Sequence, residues 1–288
     1  MWTLTRDVEE FAAAVAPLVA QDPSEATLLL STVAIVRAAG PMAPGQVFGW
    51  WSGSPGPAAV VVTPPYPALV HAGPHRSLSD HAAAALLGAL AAAGIEPPGV
   101  ESDPSTAARV AALWQAGSGG SAALGHVVRL MRLEELRAGD APSGTARRAS
   151  AGDAALLMAW LAQFAAETGM PAAPALSMRD RLSYGGWHLW CDPDGAPVSL
   201  AGRGRELGGV ARIGPVYTPP GLRGRGFGGA ATAAAARDAL TVAEDVVLFA
   251  EVANATSRGL YARLGFVDHA ERVAFEFRAT GRSPETAH

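Results

Sequence analysis

The residues best suited to chemistry in this chain lie in one stretch, Gly214-Pro-Val-Tyr-Thr-Pro-Pro-Gly-Leu-Arg-Gly-Arg-Gly-Phe-Gly-Gly229. Gly224, Gly226, Gly228 and Gly229 let backbone amides turn inward with no side chain in the way. The alanine-rich run that follows reads as a helix whose positive N-terminal end faces the same spot. Arg223 and Arg225 add fixed positive charge. Such a turn is built to hold phosphate, and it points to a ligand bearing a pyrophosphate. Gly224-x-Gly-x-x-Gly229 also matches a dinucleotide fingerprint letter for letter. That fingerprint belongs in the first βα unit, with an acid near the end of the next strand. Glu251 would serve as the acid, but a run of consecutive antiparallel strands before the turn does not fit.

The chain has 22 arginines and no lysine, three isoleucines and one asparagine. This is the signature of a strongly GC-rich genome, so arginine in place of lysine carries no message by itself. The survival of Asn254 in Glu251-Val-Ala-Asn-Ala-Thr-Ser257 implies a specific hydrogen-bonding task. A helix N-cap, which Ser or Asp would also provide, is the plainer reading. A net charge of −4 leaves no global footprint for nucleic acid, whereas Arg203, Arg205, Arg212, Arg223 and Arg225 concentrate positive charge around the glycine turn. A small anionic ligand suits that distribution.

Cys191 is the only cysteine, which excludes an intrachain disulfide, and no Cys/His cluster accompanies it, so it is expected to be an incidental small residue. No metal site is expected, and His71, His75 and His81 read as solvated loop histidines. The acidic first residues do not resemble a signal peptide, and the apolar segment from His81 to Gly94 is too short to span a bilayer. A cytoplasmic protein with no membrane or nucleic-acid partner is the expectation, either monomer or homodimer.

To position the turn, 288 residues with 49% hydrophobic content allow two domains. Residues 138–149 gather small, polar and breaker residues and are placed as a linker between residues 1–137 and 150–288. After the linker come a short strand near Arg147–Ala149, a helix over Ala154–Thr168 with Leu156, Leu157, Trp160, Leu161 and Phe164 on one face, and a proline-rich loop over Gly169–Arg181. Strands Gly186–Cys191 and Pro197–Gly202 follow, joined by the turn Asp192-Pro-Asp-Gly195. A strand over Gly209–Tyr217 enters the glycine turn. Strict alternation sets Arg212, Gly214 and Val216 on one of its faces and Ala211, Ile213 and Tyr217 on the other, and Pro215 favours a bulge. Then come a helix 226–240, a strand Val246–Val252, a helix 255–264 and a strand pair around Phe266–Arg278.

Arg223-Gly-Arg-Gly-Phe-Gly228 resembles the Arg/Gln-x-x-Gly-x-Gly/Ala signature of the GCN5-related N-acetyltransferases, the GNAT superfamily. Asn254-Ala-Thr-Ser-Arg-Gly-Leu-Tyr-Ala-Arg-Leu-Gly-Phe266 resembles a second signature of that superfamily, and the likeness covers most of residues 146–288. It implies an α/β (mixed α+β) chain of two tandem GNAT-like domains, each a mixed, mainly antiparallel twisted sheet flanked by helices. It further implies acetyl-CoA, or another acyl-CoA, as co-substrate for acyl transfer to a primary amine of a small molecule or polypeptide N-terminus. The cofactor-binding residues would be Val216, Tyr217, Thr218, Arg223, Gly224, Arg225, Gly226, Phe227, Gly228, Gly229, Asn254 and Ser257. Tyr261 would be the general acid for the thiolate, with Glu251 the nearest carboxylate for a base and water-mediated deprotonation the alternative. A non-catalytic acyl-CoA-binding or regulatory module would need only the cradle and Asn254.

Residues 1–137 show a similar rhythm: helical regions around Val8–Val19 and Ser24–Val36, strands near Gln46–Trp51, Ala58–Thr63 and Ala68–Ala72, helix 78–93, strand Gly99–Ser102, helix 104–116 and strand Leu124–Leu133. They look like a degenerate GNAT domain in which Gly73-Pro-His-Arg-Ser77 replaces the glycine cradle.

Overall fold

The computed structural model describes residues 1–279 except Met42, Pro55, Ala138, Asp140 and Met170–Pro174, and the side chains of Ala39, Ala175 and Leu176 are also left undescribed. The chain divides into two compact units, and the division is not a single cut. The first holds Met1–Arg129, Glu251–Ala253 and the segment from Ala270 onward, and the second holds Leu130–Ala250 and Asn254–His269. The C-terminal segment falls to the first unit because it pairs there, with Val273 to Glu276 opposite Ser102 to Gly99.

The first unit runs β1 (Trp2–Thr5), α1 (Val8–Val19), α2 (Thr27–Ala39), β2 (Val47–Trp51), β3 (Ala58–Val62), β4 (Ala68–His71), α3 (Asp80–Ala92), β5 (Gly99–Ser102) and α4 (Pro104–Ser118), and then enters β6 (Ser121–Leu133). Its strands lie in the order β1-β2-β3-β4-β5 and are antiparallel except for the β4–β5 pair. Side-chain caps start three of its four helices: Asp7 for α1, Ser79 for α3, and Asp103 for α4 with Pro104 at the first helical position. β3 reads Ala-Ala-Val-Val-Val and is buried throughout, as a strand covered on both faces requires.

The second unit continues with β7 (Thr145–Arg148), α5 (Ala154–Thr168), α6 (Ala175–Ser183), β8 (Trp187–Cys191), β9 (Pro197–Arg203), β10 (Val210–Tyr217), α7 (Phe227–Ala239), β11 (Asp245–Glu251), α8 (Ala255–Arg263) and the start of β12 (Phe266–Arg278). Here the order is β11-β10-β9-β8-β7, antiparallel except for β10 with β11. One core lies between α7 and the sheet, where six buried alanines of α7 allow a close approach to Ala211, Ile213, Val246 and Leu248. The other lies under α5, where Leu157, Trp160 and Leu161 meet Leu189, Leu200 and Tyr217. Asp238 on α7 anchors that helix to the sheet. It accepts from Arg203 Nε at 2.5 Å, pairs with Arg148 and lies 3.3 Å from His188 Nε2. Burial acts to raise the pKa of Asp238, but the bonds from Arg148 and Arg203 outweigh it and hold the carboxyl below its usual range.

Several expectations are corrected. Phe266–Arg278 is one 13-residue strand, not a pair. A strand precedes the opening helix, because Trp2 to Thr5 pairs with Trp51 to Phe48. The short strand expected near Arg147–Ala149 is β7, starting two residues earlier at Thr145 and paired with β8. The loop expected over Gly169–Arg181 holds α6 from Ala175 onward, and Met170–Pro174 lie outside the described residues. His71 is not a solvated loop residue. It is buried in β4, paired across to Ala59, and burial pushes its pKa down to about 4, so it is neutral at physiological pH. His75 is exposed in a turn as expected, whereas His81, though exposed, lies in α3 and sits edge-on to Trp51. Among the described residues no group of His, Cys, Asp or Glu is arranged for a metal ion, and no helix is long and apolar enough to cross a membrane.

Candidate acyl-CoA site

The site begins where two parallel strands part. β10 and β11 pair from Val210↔Asp245 to Ile213↔Leu248, and the ladder then ends although β10 continues to Tyr217 and β11 to Glu251. On its other edge β10 stays paired to β9, with a register shift between Ile213 and Val216. This is the bulge that Pro215 favours, and Gly214 at its start has φ +144°, a backbone state that L side chains rarely adopt. From Gly214 to Tyr217, the edge turned away from β9 therefore has no strand partner among the described residues, and the backbone groups there that Arg181 and Ser199 do not engage can meet an extended polar ligand.

The bulge also re-phases the strand. Val216 packs with the α7-side core that contains Ala211 and Ile213, while Tyr217 belongs to the α5-side core. Strict alternation had put Tyr217 with Ile213, and the extra residue of the bulge shifts it to the opposite face. The Tyr217 ring packs near Trp160, with its hydroxyl within hydrogen-bond distance of Gln163 Oε1 (3.0 Å) and Glu167 Oε1 (3.1 Å). The Tyr217 side chain is thus committed to the α5-side core.

Beyond β10, Thr218 and a short turn over Pro220–Leu222 lead to the glycines. Gly224 and Gly226 have φ +78° and +82°, the left-handed region the turn requires. Gly226 stands at the N-cap of α7, where no side chain caps the helix and no acid occupies the first turn. The amides of Phe227, Gly228 and Gly229 are thus left to an external acceptor, at the positive end of a 13-residue helix. A Cβ at Gly228 would lie 3.2 Å from Thr218 Oγ1, so the turn and the strand end approach as closely as they can. Arg225 is exposed and has no ion pair among the described residues. Arg223 donates from Nε to Thr218 O at 2.8 Å, and its Nη2 is paired with Glu167 Oε2.

Thr218 is held from beneath by Ser199, a residue that sequence reasoning passed over. Ser199 is fully buried in β9. Its hydroxyl donates to Tyr217 O at 3.0 Å, which leaves Thr218 Oγ1 as donor in the 2.8 Å contact between the two hydroxyls. Its signal was a serine inside a strand buried along nearly its whole length. Arg181 was also missed; its Nη1 donates to Gly214 O at 2.5 Å, fastening the bulge to α6.

The second motif forms α8. Asn254 does cap it, accepting from Ser257 N at 3.0 Å through Oδ1, so the plain reading of the lone asparagine holds; its side-chain NH2 is left for another partner. Tyr261 lies in the α7-side core, only 8% exposed, with its ring edge-on to Phe266. Burial pushes its phenol up to about 12, so the proton is present throughout the physiological range. Leu260 of α8 touches the position a Gly229 side chain would take, bringing α8 against the cradle helix. Glu251 is the exposed last residue of β11.

The first unit repeats the strand arrangement with the opposite outcome. β4 and β5 pair in parallel at Ala68↔Val100 and Leu69↔Glu101. Beyond that pair, Arg272 donates to both Val70 O and Glu101 O, and Ser102 also donates to Val70 O. The turn before α3 is equally occupied. Leu78 N donates to Thr106 Oγ1, Ser79 caps α3, and Asp80 sits in its first turn, where an anion would be repelled.

The chain shares its fold with solved structures over nearly its whole length. Over 92% of this chain and 96% of the other, it matches a GCN5-related N-acetyltransferase from Kribbella flavida with TM-score 0.59 and 21% identity. An acetyltransferase of the GNAT family from Colwellia psychrerythraea matches over 96% and 100%, with TM-score 0.63 and 13% identity. A tandem GNAT protein from the clavulanic acid biosynthesis pathway matches over 98% and 100%, with TM-score 0.55 and 15% identity. This chain is a tandem GNAT-fold protein. Residues 196–274, which carry both motifs, match the model of the FR47-like protein family. No curated protein sequence matches the chain.

Proposed function

We propose that the second unit transfers an acyl group, most simply acetyl from acetyl-CoA, to a primary amine of a small molecule or polypeptide N-terminus. The observation that carries this reading is the conjunction of the β10–β11 gap with the uncapped, acid-free N-terminus of α7. One end offers backbone groups to a chain of amides, and the other offers backbone N–H groups to a diphosphate. The fit to coenzyme A is chemical: the first-turn amides of α7 lack a side-chain acceptor, and Arg223 and Arg225 stand beside them.

Acyl-CoA supplies an activated thioester, and the chain supplies placement and protons. Amides of the bulge near Val216 and Tyr217 polarise the thioester carbonyl. As the acceptor nitrogen attacks, the C–N bond forms, the C–S bond breaks, and Tyr261 gives its proton to the departing sulfur. The acceptor's ammonium proton leaves to Glu251 or through water before the attack, the adduct nitrogen then releases a second proton to solvent, and Tyr261 recovers its own from solvent. Asn254 holds the pantetheine arm through its free NH2 while its Oδ1 keeps α8 capped.

A panel of primary amines with acetyl-CoA, followed by release of free thiol, tests this reading. Thiol release that depends on one amine class, together with an acetylated product of matching mass, is the expected result. Saturable coenzyme A binding with no amine-dependent release across small amines and peptides would favour a binding module in place of an enzyme.

A further inference from the structure

The guanidinium expected to meet the pyrophosphate already has an internal anion. Arg223 Nη2 is paired with Glu167 Oε2 in the last turn of α5, and Glu167 Oε1 lies 3.1 Å from the Tyr217 hydroxyl. One carboxylate thus bridges the cradle arginine and the end of β10. We propose that Glu167 is an internal competitor for the diphosphate, latched onto Arg223 until an acyl-CoA displaces it. The proposal rests on the cofactor reading above.

Three features suit exchange. The pair is open to solvent, with the side chains of Arg223 and Glu167 48% and 38% exposed, so water and salt screen it and it is weak. A diphosphate carries more charge and more acceptor oxygens than one carboxylate, so it can engage a guanidinium and the helix amides together. The buried Tyr217 hydroxyl has one proton and two acceptors within reach, Gln163 at 3.0 Å and Glu167 at 3.1 Å, so Glu167 can leave without stranding it. Throughout, the Nε bond to Thr218 O keeps Arg223 at the cradle.

The latch has two consequences. Apparent affinity for acyl-CoA is lowered by the fraction of molecules in which Arg223 is latched. Ligands without the diphosphate do not open it, so pantetheine alone gains nothing from its removal. Binding also frees the C-terminal turn of α5 from Arg223 and so reports occupancy of the cradle to that helix.

Calorimetric titration of the full chain with coenzyme A and with pantetheine tests the latch in the wild type, Glu167→Gln, Glu167→Ala, Arg223→Gln and Arg223→Gln/Glu167→Gln. Both Glu167 variants should bind coenzyme A about two- to fivefold tighter at low salt, the range of an exposed ion pair, with unchanged pantetheine affinity. The gain should shrink in high salt and vanish in the Arg223→Gln background, because the cycle isolates the pair. Unchanged or weaker coenzyme A binding in both Glu167 variants overturns the latch. An equal gain in the Arg223→Gln background also overturns it, by assigning the effect to general repulsion. A wild type that fails to bind coenzyme A removes the cofactor reading and the latch together, whereas a wild type that binds alongside a flat Glu167 series removes the latch alone.

Discussion

Replacing Tyr261 by phenylalanine is expected to lower turnover by roughly 10²–10⁴-fold with little change in coenzyme A affinity. The ring and its packing against Phe266 survive, so the core stays filled and only the hydroxyl is lost. A positioned general acid contributes about that factor, equivalent to roughly 2.7–5.4 kcal/mol of barrier at 1.36 kcal/mol per tenfold. Burial favours this role, because a phenol pushed up to about 12 stays protonated in the resting site and yields its proton only as charge develops on sulfur. Single-turnover measurements with a saturating amine check the expectation. A variant that acetylates at the wild-type rate when chemistry is limiting would remove Tyr261 from the mechanism.

The second large effect is expected at Arg223. Arg223→Glu removes one charge-assisted contact, a loss of about 1.5–3 kcal/mol or roughly 10–150-fold in affinity, and sets a carboxylate beside both Glu167 and the diphosphate. The side chain is half exposed, so the fold should be unaffected and the melting temperature near that of the wild type. Coenzyme A affinity unchanged in the folded variant would put the diphosphate elsewhere.

Much of this site was legible in the sequence because its parts are local. The glycine cradle, the bulge at Pro215 and the cap at Asn254 are each set within a few residues by φ angles, a missing amide hydrogen and a side-chain acceptor. What escaped was non-local or depended on phase. Tyr217 changed faces because one extra residue in the bulge reverses alternation beyond it. The Glu167–Arg223 pair joins positions 56 apart in the chain, with no pattern to announce it. Ser199 gave only the weak signal of a hydroxyl among apolar neighbours. The imidazole of His71 reads as solvated, yet it falls in the strand expected near Ala68–Ala72, and pairing with β3 buries it in the core. The occupied gap of the first unit depends on Arg272, which lies 171 positions from Glu101 and reaches it only because β12 pairs with β5.

The absent glycine cradle of the first unit was visible as the lack of a glycine series after β4. The reason its gap would reject a ligand was not. Arg272 and Ser102 already satisfy the Val70 carbonyl, and Ser79 with Asp80 satisfies and shields the start of α3. The two units thus share a strand arrangement, and the difference between them lies in a few side chains that either complete the backbone hydrogen bonds or leave them open.

The most direct test of the central claim is a calorimetric titration of the full chain with acetyl-CoA, read for stoichiometry. One equivalent per chain is predicted, bound through the second unit and strongly weakened by Arg223→Glu. Two equivalents per chain, no binding, or one equivalent indifferent to Arg223→Glu would contradict it.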